Sequence, residues 1–168
     1  MQLGYMRRIY YDQLAAGYDE LYGDEQLQKQ NLIQHTLLSF LSANSTILDV
    51  GCGTGISLAH NAFGIDPSFQ LLLRAKKKSH YLIHGVGEAL PFKDTSFDVV
   101  QCVTALHNFT DWKKGIGEMK RVSKQLIVLS LLKKADAFHE MRKMIEQHLC
   151  VVETKDAHQD IIFFCRKK

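Results

Sequence analysis

Three glycines stand at every second position in Ile47-Leu48-Asp49-Val50-Gly51-Cys52-Gly53-Thr54-Gly55, directly after an apolar, β-type run. Glycines so spaced serve a tight turn or let a backbone approach a ligand closely. At a strand-to-helix turn their N–H groups are free to donate to a bound molecule. The pattern departs from the dinucleotide fingerprint G-x-G-x-x-G because the third glycine comes one residue early, and no Lys follows Gly55 as a P-loop requires. Asp49 sits at the strand end, and Asp66 follows the next short strand, 17 positions on. An acid at that place either takes both hydroxyls of a ribose or caps a helix. In Asp66-Pro67-Ser68 the Pro would take the first helical position and a side-chain oxygen the free N–H groups. Spacing alone thus supports a nucleoside-like ligand at the carboxyl ends of the strands of an open α/β sheet.

The elements that must position these residues follow from periodicity. Short β-rich runs at Thr46 to Val50, Ala62 to Ile65, His80 to His84, Phe97 to Val103 and Gln125 to Leu131 alternate with helical stretches, the βαβ pattern. Helices are predicted at Ser68 to Lys78, Asp111 to Val122 and Ala135 to Leu149, and a helix of at most two turns at Ile56 to Asn61. Cys150 to Thr154 and Asp160 to Cys165 are joined by Lys155 to Gln159, too short for a crossover helix, so they pair as an antiparallel hairpin. The fold class is therefore α/β: one Rossmann-like domain with a seven-stranded, mostly parallel sheet, an antiparallel C-terminal hairpin and helices on both faces. Residues 1–42 contribute a helical lid, rich in Tyr10, Tyr11, Tyr18 and Tyr22, and a helix from Glu25 to Leu41; residues 43–168 form the ligand-binding core.

Composition excludes several classes. The chain has 168 residues, 46% hydrophobic and 23% charged, and 21 Lys+Arg against 18 Asp+Glu leave a net charge of +3. That is one globular domain rather than a disordered or fibrous chain. No apolar run approaches the ~20 residues of a membrane span. Arg7 and Arg8 lead straight to Asp12 and Gln13, not to a secretory h-region. Cys52, Cys102, Cys150 and Cys165 form no C-x-x-C pair, so no metal site is expected, and a reduced, cytoplasmic setting is.

Taken together the motifs resemble the class I S-adenosylmethionine-dependent methyltransferases, particularly the small group that includes quinone-biosynthesis C-methyltransferases. Asp49 to Gly55 is similar to the family's first motif, Gly64-Ile65-Asp66-Pro67-Ser68 to its second, and Gly87-Glu88-Ala89-Leu90-Pro91-Phe92 with Ser96-Phe97-Asp98 to its third. Thr104-Ala105-Leu106-His107-Asn108-Phe109 and Glu118-Met119-Lys120-Arg121-Val122 continue the likeness, which spans Tyr10 to Ser130. The resemblance implies S-adenosylmethionine as cofactor and S-adenosylhomocysteine as product. It places Gly51, Cys52, Gly53 and Gly55 along the methionine part with Asp49 near the amino group, and Asp66 and Pro67 at the ribose. Gly87 and Glu88 fall beside the adenine, Val103 under it, and Tyr18 at the cofactor carboxylate.

Where many relatives read Gly-Asp-Ala-Glu before Leu-Pro-Phe, this chain has Val86, which cannot accept from an adenine amino group; either a backbone carbonyl or Glu88 substitutes, or adenine is held more loosely. For the transfer, His107 is the candidate general base, its ordinary pKa lying near neutrality, and Tyr11 a candidate to close over the methyl group. The amino-directed Asn/Asp-Pro-Pro-Tyr/Phe motif is absent after the fourth strand. The function expected is methyl transfer to a small-molecule acceptor. The alternatives are an RNA (tRNA) methyltransferase needing a small activating subunit, and a non-catalytic cofactor-binding subunit; a homodimer is the other partner expectation. Lys133, after the fifth strand, and Arg7 are candidates to meet a substrate phosphate or carboxylate. The basic clusters Arg74 with Lys76, Lys77 and Lys78, and Lys120 with Arg121 and Lys124, read as solvated surface at helix C-termini.

Overall fold

The computed structural model describes residues 9–42, 44–58, 62–78 and 81–168, without the side chain of Ala16. Residues 9–14 are helical and Ala15–Gly17 form a 3₁₀ turn, after which α1 runs over Tyr18–Leu37. The core follows as β1 (Ile47–Val50), β2 (Phe63–Asp66), α2 (Phe69–Ala75), β3 (Leu82–His84) and β4 (Phe97–Val103). A 3₁₀ turn (Leu106–Asn108) leads to α3 (Trp112–Val122), β5 (Ser123–Leu132), α4 (Phe138–His148), β6 (Leu149–Ala157) and β7 (Asp160–Lys167).

The strands form one sheet in the order β3-β2-β1-β4-β5-β7-β6. The first five are parallel, while β7 runs antiparallel to both β5 and β6. The expected α/β sheet with its antiparallel hairpin is therefore present. Between β1 and β4 the strand order reverses, the place where open α/β sheets bind ligands. One apolar cluster joins Val100, Cys102 and Ile127 to Ile116 and Met119 of α3 and Met141 and Ile145 of α4. A second joins Ile33 and Leu37 of α1 to Val99, Val128 and Phe164. Alternate residues of β4 and β5 thus feed two cores, as a period of two requires.

Several boundaries differ from the sequence reading. The helix predicted from Glu25 starts at Tyr18, because its inward face beyond Ile33 is continued by buried Lys29 and Gln30, which apolar periodicity does not register. The final strands extend to a two-residue loop, His158–Gln159, with His158 at φ +57°. Strand β6 alternates exposed and half-buried residues at the sheet edge, so Lys155, Asp156 and Ala157 belong to a strand that polarity disguised as a loop. Pro67 precedes the N-cap Ser68 rather than opening the helix: Ser68 Oγ accepts from Leu71 N at 3.2 Å. Ile56 and Ser57 form turns, not the predicted short helix, whose last residues, 59–61, lie outside the described residues, as does His80.

Arg121 corrects the surface reading of its basic cluster. Its guanidinium grips Glu118 twice, Nε to Oε1 at 2.7 Å and Nη2 to Oε2 at 2.9 Å. It also donates to the carbonyls of Phe92 and Leu90 and to Asp94. Glu118 accepts from Leu90 N as well, which holds its carboxyl below the usual range, chiefly through Arg121. This fork-shaped clamp ties the segment after β3 to α3. Arg121→Lys keeps the charge but loses the fork, and we expect it to cost about 1.5–3 kcal/mol, the worth of hydrogen bonds to a charged group, read as a lower urea midpoint.

Candidate functional site

A cavity of about 540 Å³ opens at the carboxyl ends of β1, β2 and β4, of the size small-molecule sites have. Its walls come from the glycine loop after β1, the segment after β3 and residues 103–110 after β4; Tyr11 and Tyr18 cover it from the N-terminal segment.

The three glycines do three different jobs. Gly51, at φ +79°, would drive a Cβ to 2.5 Å from Ala105 Cβ, so it lets the loop after β1 meet the loop after β4. Gly53, at φ +54°, lines the cavity beneath Tyr18, and its N–H donates to Asp66 Oδ2 at 2.8 Å. Gly55, at φ +74°, would strike Ala75 and so serves packing against α2; neither it nor buried Cys52 lines the cavity.

Asp66 combines its two expected roles in one corner. Its Oδ1 accepts from Ser68 N at 2.8 Å while Oδ2 holds the glycine loop, and the carboxyl, 6% exposed, still lines the cavity beside Pro67. Burial pushes its pKa up to about 6, against the lowering effect of those two bonds. Asp49 lies behind the loop, fully buried, accepting from Ser57 Oγ beside Gln101; burial pushes it up to about 6 as well. It is not a cavity wall, so the structure gives it a place bracing the loop from behind.

Three latches hold the N-terminal segment over the cavity. Asp12 accepts from Ser68 Oγ at 2.5 Å, Asp19 accepts from Thr54 Oγ1, and Tyr11 Oη accepts from Asn108 Nδ2 at 3.0 Å. Burial raises the pKa of both Tyr11 and Tyr18, so each stays a neutral phenol.

Glu88 does not wait free for an adenine. Its Oε1 accepts from Thr110 N at 2.7 Å and Asp111 N at 3.3 Å, pinning the loop that leads into α3. Gly87 and Gly115 both lie against the Phe109 ring, where a Cβ would come within 2.2 Å and 2.5 Å of ring carbons respectively. Val86, 45% exposed, and Val103 both line the cavity.

Other sequence-predicted positions fall elsewhere. His107 is not a cavity wall, whereas its neighbours Asn108 and Phe109 are. Lys133 donates to Asp156 and to the carbonyl of His158, so it closes the β6–β7 hairpin instead of facing a substrate. Arg7 lies outside the described residues. Sequence reasoning missed Asn108 and Phe109 as walls, and the only signal for them was their place after the fourth strand.

Two outcomes check this geometry. Gly87→Ala must displace Phe109, so the apo chain loses about 1–3 kcal/mol of stability, the usual cost of overpacking, measured by urea unfolding. For Asp49 the sign follows from its raised pKa: the folded chain holds a proton that the unfolded chain releases from about pH 4. Its contribution to stability therefore falls as pH rises from about 4 through about 6. The stability difference between wild type and Asp49→Asn should move against the wild type across that window and level off above it.

Residues 48–129 match the family model described as a methyltransferase domain. A demethylmenaquinone methyltransferase of Corynebacterium efficiens is 33% identical over 90 residues, which cover 50% of this chain and 39% of that protein. The chain spans about half the length of the curated relatives it matches first, 46% of one and 48% of another. Among solved structures, magnesium protoporphyrin IX methyltransferase from Synechocystis PCC 6803 with bound S-adenosylmethionine superposes with a TM-score of 0.81. It is 15% identical, over 100% of this chain and 98% of that one. A chain from the complex between the Haloferax volcanii Trm112 methyltransferase activator and its methyltransferase gives 0.74 at 16% identity, over 94% and 97% of the two chains. Over residues 48–129 the chain matches this methyltransferase-domain family, and it shares the fold of these methyltransferase structures.

Proposed function

We propose that the protein transfers a methyl group from S-adenosylmethionine to a small-molecule acceptor. The observation that carries this reading is the cavity at the strand-order reversal. A buried carboxylate with two backbone donors stands at its rim, apolar Ile65 and Val103 line it, and phenols cover it. Those features fit the cofactor's chemistry: a carboxylate for ribose hydroxyls and apolar surface for a flat base. Glu88 is engaged with Thr110 and Asp111, and Val86 has no acceptor, so the adenine amino group is left to backbone carbonyls in this reading.

When bound, S-adenosylmethionine supplies a methyl group on a cationic sulfur. The protein's part is then positioning, since in-line displacement needs alignment more than acid catalysis at the leaving group. Gly53 and Asp66 hold the cofactor end of the cavity, and Tyr18 covers the loop. Tyr11 and Asn108, hydrogen-bonded to each other, form the acceptor end, where the neutral phenol presents a proton donor rather than a base. We assign acceptor positioning to this pair in preference to base chemistry by His107.

A small acceptor is favoured because Arg121 and Lys133 are both engaged within the fold and no Lys or Arg among the described residues lines the cavity. The second reading is an RNA methyltransferase with a small activating subunit, supported by the likeness to the methyltransferase paired with Trm112. Residues 1–42 belong in either reading to the same domain as the core. No helix among the described residues is long and apolar enough to cross a membrane, and the four cysteines are free. A cytoplasmic setting is part of this proposal, supported by the free thiols of Cys52, Cys102, Cys150 and Cys165.

Calorimetric titration with S-adenosylhomocysteine tests the cofactor. Micromolar binding is expected, weakened about tenfold or more in Asp66→Asn, which loses a charge-assisted acceptor. Affinity should also rise from pH 5 to pH 7 as Asp66 ionises through about 6, and Asp66→Asn should lose that rise. No binding by the wild type overturns the cofactor assignment. Turnover of S-adenosylmethionine with RNA and not with a small-molecule panel overturns the acceptor class.

A further inference from the structure

The wall of the cavity nearest β5 rests on a buried polar cluster outside the site just described. Lys29, in the middle of α1, is 2% exposed, and its ammonium donates all three of its protons inside the fold. They go to Glu25 Oε1 at 2.6 Å, Thr104 Oγ1 at 2.9 Å and Asp160 Oδ1 at 3.1 Å. The second oxygen of Asp160, which is 0% exposed, accepts from Thr104 Oγ1 at 2.8 Å and from Ser130 Oγ. One ammonium and one carboxylate thereby join α1, the end of β4, β5 and the first residue of β7.

Thr104 is the residue of that cluster that reaches the cavity, and its backbone is in the left-handed region at φ +52°. For a β-branched residue this conformation is costly. It persists only where surrounding structure over-determines it. Here the determining contacts are visible: the hydroxyl is held on one side by Lys29 and on the other by Asp160. The turn at Thr104 sets where Ala105 meets Gly51 and where Asn108 and Phe109 enter the cavity, because it is the first residue beyond β4.

We infer that Lys29 is a positioning residue for the ligand cavity, acting through Thr104: its ammonium, with Asp160, locks the left-handed turn that shapes the wall after β4. The inference rests on the cofactor reading above. Lys29 touches no cavity surface itself, so its effect on a ligand passes through the turn.

The test uses S-adenosylhomocysteine titrated into the full chain, with thermal unfolding recorded in parallel. Thr104→Val removes the hydroxyl at unchanged shape, and Lys29→Met/Asp160→Asn removes both buried charges together, leaving only the part-exposed Glu25 carboxylate to solvent. Each should weaken binding about tenfold. Thr104→Gly, which also lacks the hydroxyl but adopts positive φ freely, should bind within about threefold of wild type. Added to Lys29→Met/Asp160→Asn, it should recover most of the lost affinity while leaving the unfolding temperature low. A merely structural cluster would give no such recovery.

Three results overturn the inference: wild-type affinity in Thr104→Val, failure of Thr104→Gly to recover affinity, or equal losses in Thr104→Gly and Thr104→Val. The last would make the hydroxyl a direct ligand contact. If Lys29→Met/Asp160→Asn does not fold, the contrast between the two Thr104 variants decides alone. Absence of binding by the wild type fails the cofactor reading instead and takes this inference with it, an outcome separate from wild-type binding with unchanged variants.

Discussion

The Asp66 carboxylate is the constraint on which the cavity depends. It sits at the end of β2, 6% exposed, and accepts from the N–H of Gly53 and of Ser68. An ionised carboxylate in a buried place is costly unless hydrogen-bonded. Two backbone donors offset part of that cost, and the rest appears as a pKa raised to about 6. A carboxylate has about four acceptor sites, so capacity remains for a ligand at the cavity rim. The same two bonds join the glycine loop to the start of α2, and Asp12 reaches that helix start through Ser68. Glycine loop, strand end, helix cap and covering segment are therefore one connected corner.

The opposite wall is built on a different principle. There the turn after β4 is held by a buried ion pair and two hydroxyls instead of by backbone donors. Buried pairs are weak sources of net stability, because desolvation consumes most of the Coulomb gain. What this one supplies is geometry, since an apolar substitute for Lys29 and Asp160 has no means of gripping a threonine hydroxyl. Arg121 does a comparable job farther out, holding the segment after β3 against α3 through Glu118 and two carbonyls. Glu88 does it again at residues 110–111. These charges are thus spent on loop placement, and no Lys or Arg among the described residues lines the cavity.

Such an arrangement suits a reaction whose main requirement is alignment. Methyl transfer from a sulfonium gains more from fixed distance and angle than from proton transfer. Tyr11 and Tyr18, kept as neutral phenols by burial, add cover and hydrogen-bonding ends without charge. The latches from Asp12, Asp19 and Tyr11 hold that cover against three separate core segments, those at Ser68, Thr54 and Asn108.

The cavity's glycine loop and its acid were legible in the sequence because glycine spacing, strand ends and an acid after β2 are local features: Gly51, Gly53 and Asp66 all line the cavity. The βαβ alternation and the C-terminal hairpin were equally local, since period and loop length decide them. Tertiary structure alone decided which glycine faces the cavity and which faces α2, because φ and neighbouring side chains from distant segments make that distinction. It also turned His107 away from the cavity walls and set Asn108 and Phe109 there, a one-residue difference inside a 3₁₀ turn. Lys29, Asp160 and Thr104 were illegible for the same reason. Thr104 and Asp160 lie 75 and 131 positions from Lys29 along the chain, and no local pattern marks a lysine for burial until the sheet brings its carboxylate to it.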